Sequence, residues 1–153
     1  MCTDAARTFA VGKISDEARN LIEACKKCFE VATKELKAGD PVSTIGECIE
    51  KFIDGRYGIV DTYFGHGIGE KVHEEPLIPN FIVTITTRER VAKSIQTILP
   101  KGAIICIEPM INCGTKELRL ANDGWTAVTA DGRLAAHYEN TLIVHENGVE
   151  IVT

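Results

Sequence analysis

The chain has 153 residues, 44% of them hydrophobic, and a formal net charge of −5 at neutral pH. That length suits a single domain spanning residues 1–153, with about two-thirds of the unfolded surface buried. Lysines and arginines are interleaved with acids and form no basic stripe, which speaks against nucleic acid or an anionic membrane as partner. No apolar run approaches the ~20 residues of a membrane helix.

The opening MCTDAARTF has neither the basic head nor the apolar core of a signal peptide. Six cysteines (Cys2, Cys25, Cys28, Cys48, Cys106 and Cys113) lie mostly among apolar residues rather than in a loop-rich small scaffold. Reduced thiols in a cytoplasmic protein are therefore expected. Cys25 and Cys28 form a CxxC, but no second pair closes a zinc site and no strand-to-helix turn precedes them. They read as two residues on one helix face.

Ser15 followed by Asp16 and Glu17 has the form of a helix start, a hydroxyl cap and then acids near the positive end of the dipole. Ala18, Leu21, Ile22, Cys25, Phe29, Ala32 and Leu36 recur at helical spacing until Gly39, Asp40 and Pro41 end the run. Ser43 or Thr44 caps a second predicted helix, with Glu47 placed as in a capping box, an apolar face of Ile45, Cys48, Ile49, Phe52 and Ile53, and Gly55 as the stop. The pattern then changes to strands and turns. Short strands are predicted over residues 59–63 and 125–129, a nearly continuous apolar run buried on both faces over 103–111, and a long strand over 135–144. Asn147 and Gly148 close a last hairpin to residues 149–152.

Between the first two of these strands lies YFGHGIGEKVHEEP, residues 63–76, where Gly65, Gly67 and Gly69 bracket His66 and a second histidine, His73, follows. Glycine lets a backbone approach a ligand closely or take positive φ, so a histidine between glycines reads as a side chain presented by a constrained loop. The alternative is a surface turn with two unrelated histidines. Glu108 and Glu139 sit in segments otherwise suited to the interior, where an isolated carboxylate needs a cation or a hydrogen-bond network. Strand alternation that carries them to solvent, or pairing with Arg119 or Arg133, would serve as well. With Asp4 and His66 they make one imidazole and three carboxylates, a set suited to Mn, Fe, Co or Zn. The loop is not HExxH on a helix, because Pro76 follows Glu74 and Glu75.

In this order, FGHGIGEKVHEEP, IEPMINCG, NDGWTAV and HYENTLIV resemble the C-terminal part of the type I methionine aminopeptidases, from about Asp4 to Thr153. The resemblance implies an α+β, pita-bread (creatinase/aminopeptidase-like) fold lacking most of its N-terminal half, with two helices on an antiparallel-rich sheet. It implies Asp4, His66, Glu108 and Glu139 as metal ligands. His73 would contact the scissile peptide and its transition state, Glu108 would also handle the proton of the attacking water, and Trp125 would wall the methionine pocket. The implied reaction removes an N-terminal methionine from a nascent polypeptide, with two divalent ions in the complete family site and one here.

The family pattern also places an aspartate ligand, a catalytic histidine and part of the methionine pocket upstream of Asp4, where this chain has only Met1, Cys2 and Thr3. The segment from Phe81 to Leu99 is longer than the connection usual at that place, and Val72 stands where an aromatic is frequent. A fragment, one part of a split enzyme completed by an N-terminal half or a second copy, and a shortened relative that serves as an inactive binding module all remain open. So does an aminopeptidase P or prolidase-like relative, although the placement of Trp125 and the compact tail favour methionine.

Overall fold

A computed structural model describes residues 1–84 and 89–153. Helix α1, Asp16–Thr33, starts at Ser15, whose hydroxyl oxygen accepts from the Ala18 amide at 3.2 Å. It buries Leu21, Cys25, Cys28, Phe29 and Ala32 along one face, as the 3.6-residue spacing requires. It ends before Leu36, which is buried from a non-helical position. Helix α2, Ser43–Ile53, packs on α1 through Ile45, Ile49 and Ile53.

The predicted capping box of α2 does not form. Its N-cap is Val42, without a side-chain bond, and the turn closes instead through Thr44 N to Pro41 O at 3.1 Å. The helix terminates at Asp54, a left-handed residue with φ 46° whose amide donates to the Glu50 carbonyl. A third helix, α3 (Glu89–Ile95), lies in the 81–99 segment, where only two helices had been expected upstream. Residues 85–88 of that segment lie outside the described residues.

The strands are β1 (Ala5–Arg7), β2 (Gly58–Ile59), β3 (Gly65–Gly67), β4 (Glu74–Ile78), β5 (Ile104–Ile107), β6 (Met110–Asn112), β7 (Leu118–Leu120), β8 (Ala127–Thr129), β9 (Ala135–His145) and β10 (Gly148–Ile151). Eight of them form one sheet in the order β2-β6-β9-β5-β3-β4, with β1 and β10 also on β9, and every pairing is antiparallel. β7 and β8 make a separate hairpin. The single strand expected over 103–111 is therefore two. Pro109 has no amide to give to a ladder, and the chain breaks there into β5 and β6.

β9 is the axis of the sheet, with two strands in tandem along each edge. Asn140 stands between Ala5 and Ile107, and Leu142 between Ile105 and Ile151. Alternation then gives its faces different jobs. Ala136, Tyr138, Leu142 and Val144 pack into the same core as α1 and α2. His137, Glu139 and Thr141 point to the opposite face. No helix of the described residues is long and apolar enough to cross a membrane.

Candidate metal centre

Register brings distant parts of the sequence to that second face. His66 pairs with Cys106 across β3 and β5, and Ala6 stands opposite Glu139 across β1 and β9. Asp4 precedes Ala6 by two residues and so shares its face. Glu108 follows Cys106 by two, at the break where β5 leaves one half of β9 and β6 takes up the other. Four segments thus bring Asp4, His66, Glu108 and Glu139 to one face of the sheet, Asp4 beside His66 and His73, and Glu139 beside both His66 and Glu108.

The glycines around His66 are there for close approach and not for unusual dihedrals. Residues 65–67 form strand β3 rather than a loop, and neither Gly65 nor Gly67 has positive φ. A Cβ at Gly65 would strike the Cys106 carbonyl, and one at Gly67 would strike the carbonyl of Glu75. Glycine at both positions lets the β5–β3–β4 ladder close tightly around the imidazole.

His66 Nε2 lies 3.7 Å from Glu108 Oε1 and 3.9 Å from Glu139 Oε1. Its Nδ1 is 3.0 Å from the Gly67 carbonyl, an acceptor that takes an Nδ1 proton, and its Nε2 faces the carboxylates. His66 is 3% exposed and Glu139 4%, so this imidazole and this carboxylate are both out of water. Strand alternation does carry Glu108 and Glu139 off the main core face, as one of the sequence alternatives held, but onto a second buried face rather than into solvent. Neither is neutralised by an arginine. Arg133 pairs with Glu17, and among the described residues no lysine or arginine side chain forms an ion pair with Glu108 or Glu139. The Arg7 guanidinium reaches the main-chain carbonyl of Glu139 and the Asn140 amide oxygen, not the carboxylate.

Glu139 Oε1 is consequently buried with no hydrogen-bond partner. Burial, followed by the negative charges of Glu108 and Asp4, pushes its carboxyl up to about 7. Acidic side chains and an imidazole brought together without a lysine or arginine form a cluster that a divalent cation would stabilise, and the donor chemistry fits such an ion. Ligand atoms of Asp4, His66 and His73 lie within 4.8 Å of one another, as do those of His66, Cys106 and Glu139, and those of Glu108, His137 and Glu139.

His73, in the turn before β4, meets the His66 ring edge to face with centroids 4.4 Å apart. Both histidines line an open cavity of about 640 Å³ with Tyr63, Phe64 and Leu77 among its walls. Of the candidate site residues, His66 and His73 line it, and Asp4, Glu108 and Glu139 do not. Trp125 does not line this cavity and is 87% exposed, in the turn between β7 and β8.

Two members of the cluster escaped the sequence reading. Cys106 is buried beside Thr141, with Sγ 3.4 Å from the hydroxyl, and burial pushes its thiol up to about 12. His137 has its Nε2 3.6 Å from Glu108 Oε2, buried and without a partner. The signal for His137 was present in the sequence, since it precedes Glu139 by two in a strand and must share its face.

The sequence profile described as "Metallopeptidase family M24" matches residues 1–146. A methionine aminopeptidase of Clostridium acetobutylicum is 40% identical over 151 residues, which are 98% of this chain and 57% of that relative. The crystal structure of the methionine aminopeptidase of Thermotoga maritima superposes with a TM-score of 0.86 at 35% identity, covering 97% of this chain and 57% of that one. The prolidase of Pyrococcus furiosus has the same fold at a TM-score of 0.68 and 24% identity, with 97% of this chain and 36% of that one covered. The chain spans a little over half the length of the methionine aminopeptidases it matches.

Proposed function

The chain belongs to metallopeptidase family M24, and from that premise we propose that it acts on peptides as a metal-dependent methionine aminopeptidase, removing the N-terminal methionine of a new polypeptide. The observation that carries this reading is the convergence of His66, Glu108 and Glu139 on one cluster without a lysine or arginine counter-charge, beside a cavity that His66 and His73 line. Relatives named methionine aminopeptidases are 33–40% identical to the chain, which supports methionine over proline specificity. A cytoplasmic location fits six unpaired cysteines.

Asp4, His66, Glu108 and Glu139 would hold the ion, which supplies the positive charge that acidifies a water and polarises the scissile carbonyl. Glu108, between β5 and β6 and less buried than Glu139, would take the proton from the attacking water. Returned to the departing amine, that proton completes the hydrolysis. His73, exposed at the cavity and in contact with His66, would donate a hydrogen bond to the oxygen on which negative charge develops. Trp125, with its indole free, would close over the methionine side chain.

The test is hydrolysis of methionyl peptides by the full chain with Mn, Co or Fe, together with metal content after dialysis. Glu108→Ala and His66→Ala are expected to lose both bound metal and turnover. His73→Ala is expected to keep the metal and lose turnover on the order of a hundredfold to a thousandfold, as for other single transition-state donors. Equal metal in the parent and in both ligand variants would remove the assignment.

A further inference from the structure

We infer that His137 is a metal ligand, supplying the nitrogen of a second cation position formed with Glu108 Oε2 and the Glu139 carboxylate, in place of the single ion expected from the sequence. The inference rests on the metal reading of this cluster and extends it.

Glu108 stands between two imidazoles. Its Oε1 is 3.7 Å from His66 Nε2 and its Oε2 is 3.6 Å from His137 Nε2. Each carboxylate oxygen faces one ring nitrogen, the arrangement of a carboxylate that bridges two ions. These separations are too long for hydrogen bonds. They lie close to the roughly 3 to 3.5 Å between donors that share one ion at bond lengths of about 2.1 Å.

The His137 ring is a third exposed, yet its Nε2 has no solvent contact and no hydrogen-bond partner among the described residues. A buried imidazole nitrogen left unpaired beside a carboxylate is an uncommon arrangement, and a shared cation removes the anomaly. An independent observation points the same way. The Glu139 side chain is 6% exposed, and its Oε1 is also buried and unpaired, aimed into the same cluster. Ligand atoms of Glu108, His137 and Glu139 come within 4.8 Å of one another.

The backbone under His137 is fixed from both sides. Its amide donates to the Thr8 hydroxyl at 2.9 Å, and that hydroxyl is 3.1 Å from its carbonyl, while Met110 pairs with it across β6. The ring is therefore presented by a pinned strand and not by a loose turn, as a preformed ligand should be. One nitrogen and two carboxylates suit the borderline divalent ions Mn, Fe, Co and Zn rather than Ca or Mg.

The experiment is equilibrium dialysis of the full chain, stripped by chelator, against Co(II), with elemental analysis and the visible absorption of the bound ion. Nitrogen-15 spectra of the histidines are recorded in parallel as Zn(II) is added. The parent should take up two ions per chain. His137→Ala should weaken one of them at least tenfold and leave the other, with an unchanged thermal transition, and His137→Gln should do the same. The Nε2 resonance of His137 should move with the second equivalent of Zn(II), a readout that needs no variant. If both ions bind His137→Ala as they bind the parent, or if the His137 resonance does not respond to Zn(II), the assignment is overturned while the primary site stands. A parent that binds no ion overturns the metal reading and this inference together.

Discussion

Asp4 and Thr141 hold each other by two reciprocal hydrogen bonds. The Asp4 amide donates to the Thr141 hydroxyl oxygen at 2.8 Å, and that hydroxyl donates to the Asp4 carbonyl at 2.9 Å. The Asp4 carbonyl also accepts from the Thr141 amide. One buried threonine thus replaces a longer ladder at the start of β1 and sets where the Asp4 carboxylate can lie. The tie reaches further, because Thr141 also contacts the Cys106 thiol and is 0% exposed.

Thr141→Val keeps the shape of the side chain and removes both hydroxyl bonds. We expect a loss of about 1 to 3 kcal/mol in urea unfolding, the usual cost of leaving buried polar partners unmade. Because β1 loosens, cation affinity should fall although no ligand is touched, and Thr141→Ser should restore most of both. Unchanged affinity in Thr141→Val would mean that Asp4 does not depend on this tie, or is not a ligand.

The six thiols should divide by burial. Cys25, Cys28 and Cys106 are buried, and Cys2, Cys48 and Cys113 are partly exposed. Burial pushes the Cys25 thiol far above its usual range, with the nearby Cys28 adding to it, and takes Cys28 up to about 12 against the opposing pull of Arg56. The thiolate is the reactive form, so these groups are protected twice, by access and by protonation. Iodoacetamide at mildly alkaline pH should label Cys2, Cys48 and Cys113 within the time that leaves the other three unmodified, and all six in denaturant, as read by mass spectrometry. Prompt labelling of Cys25 or Cys28 in the native chain would contradict the packing of α1 and reopen the CxxC as a redox pair.

The parts of the fold that are local in sequence were the legible ones. The face of α1 is written in its apolar spacing, and β9 and β10 in alternation and the Asn147–Gly148 turn. Where the sequence misled, a tertiary cause can be named. The GHG stretch looks like a loop because glycine is a poor strand former, yet it is a strand because only glycine fits between the carbonyls of Cys106 and Glu75. β7 went unseen since Leu118–Leu120 is short and gains its partner from β8 in a separate hairpin. The cluster was legible as residue types and not as a face. Glu139 stood out by its apolar neighbours, and His137, two residues before it in the same strand, shares its face by alternation, but its approach to Glu108 follows only from the pairing of β6 with β9.

Trp125 is the one tryptophan of the chain, and its indole packs against very little. The turn that carries it is held by Asp123 instead. The Asp123 carboxylate accepts from the Thr126 hydroxyl at 2.6 Å and from the amides of Trp125 and Thr126 at 3.0 and 2.9 Å, bonds that hold its carboxyl down at about 2. Removing the indole should therefore leave the turn intact. We expect Trp125→Ala to change unfolding stability by no more than about 0.5 kcal/mol, as for other surface substitutions without packing. In the parent, acrylamide should quench the fluorescence freely, and a nonhydrolysable methionyl ligand should shield it if the indole closes over the methionine side chain. Under that role Trp125→Ala also weakens the ligand while the bound metal is unchanged. Because stability is not at stake, a loss of ligand affinity reports the contact itself. A variant that binds the ligand as the parent does, with quenching unaltered by ligand, would take Trp125 out of the pocket.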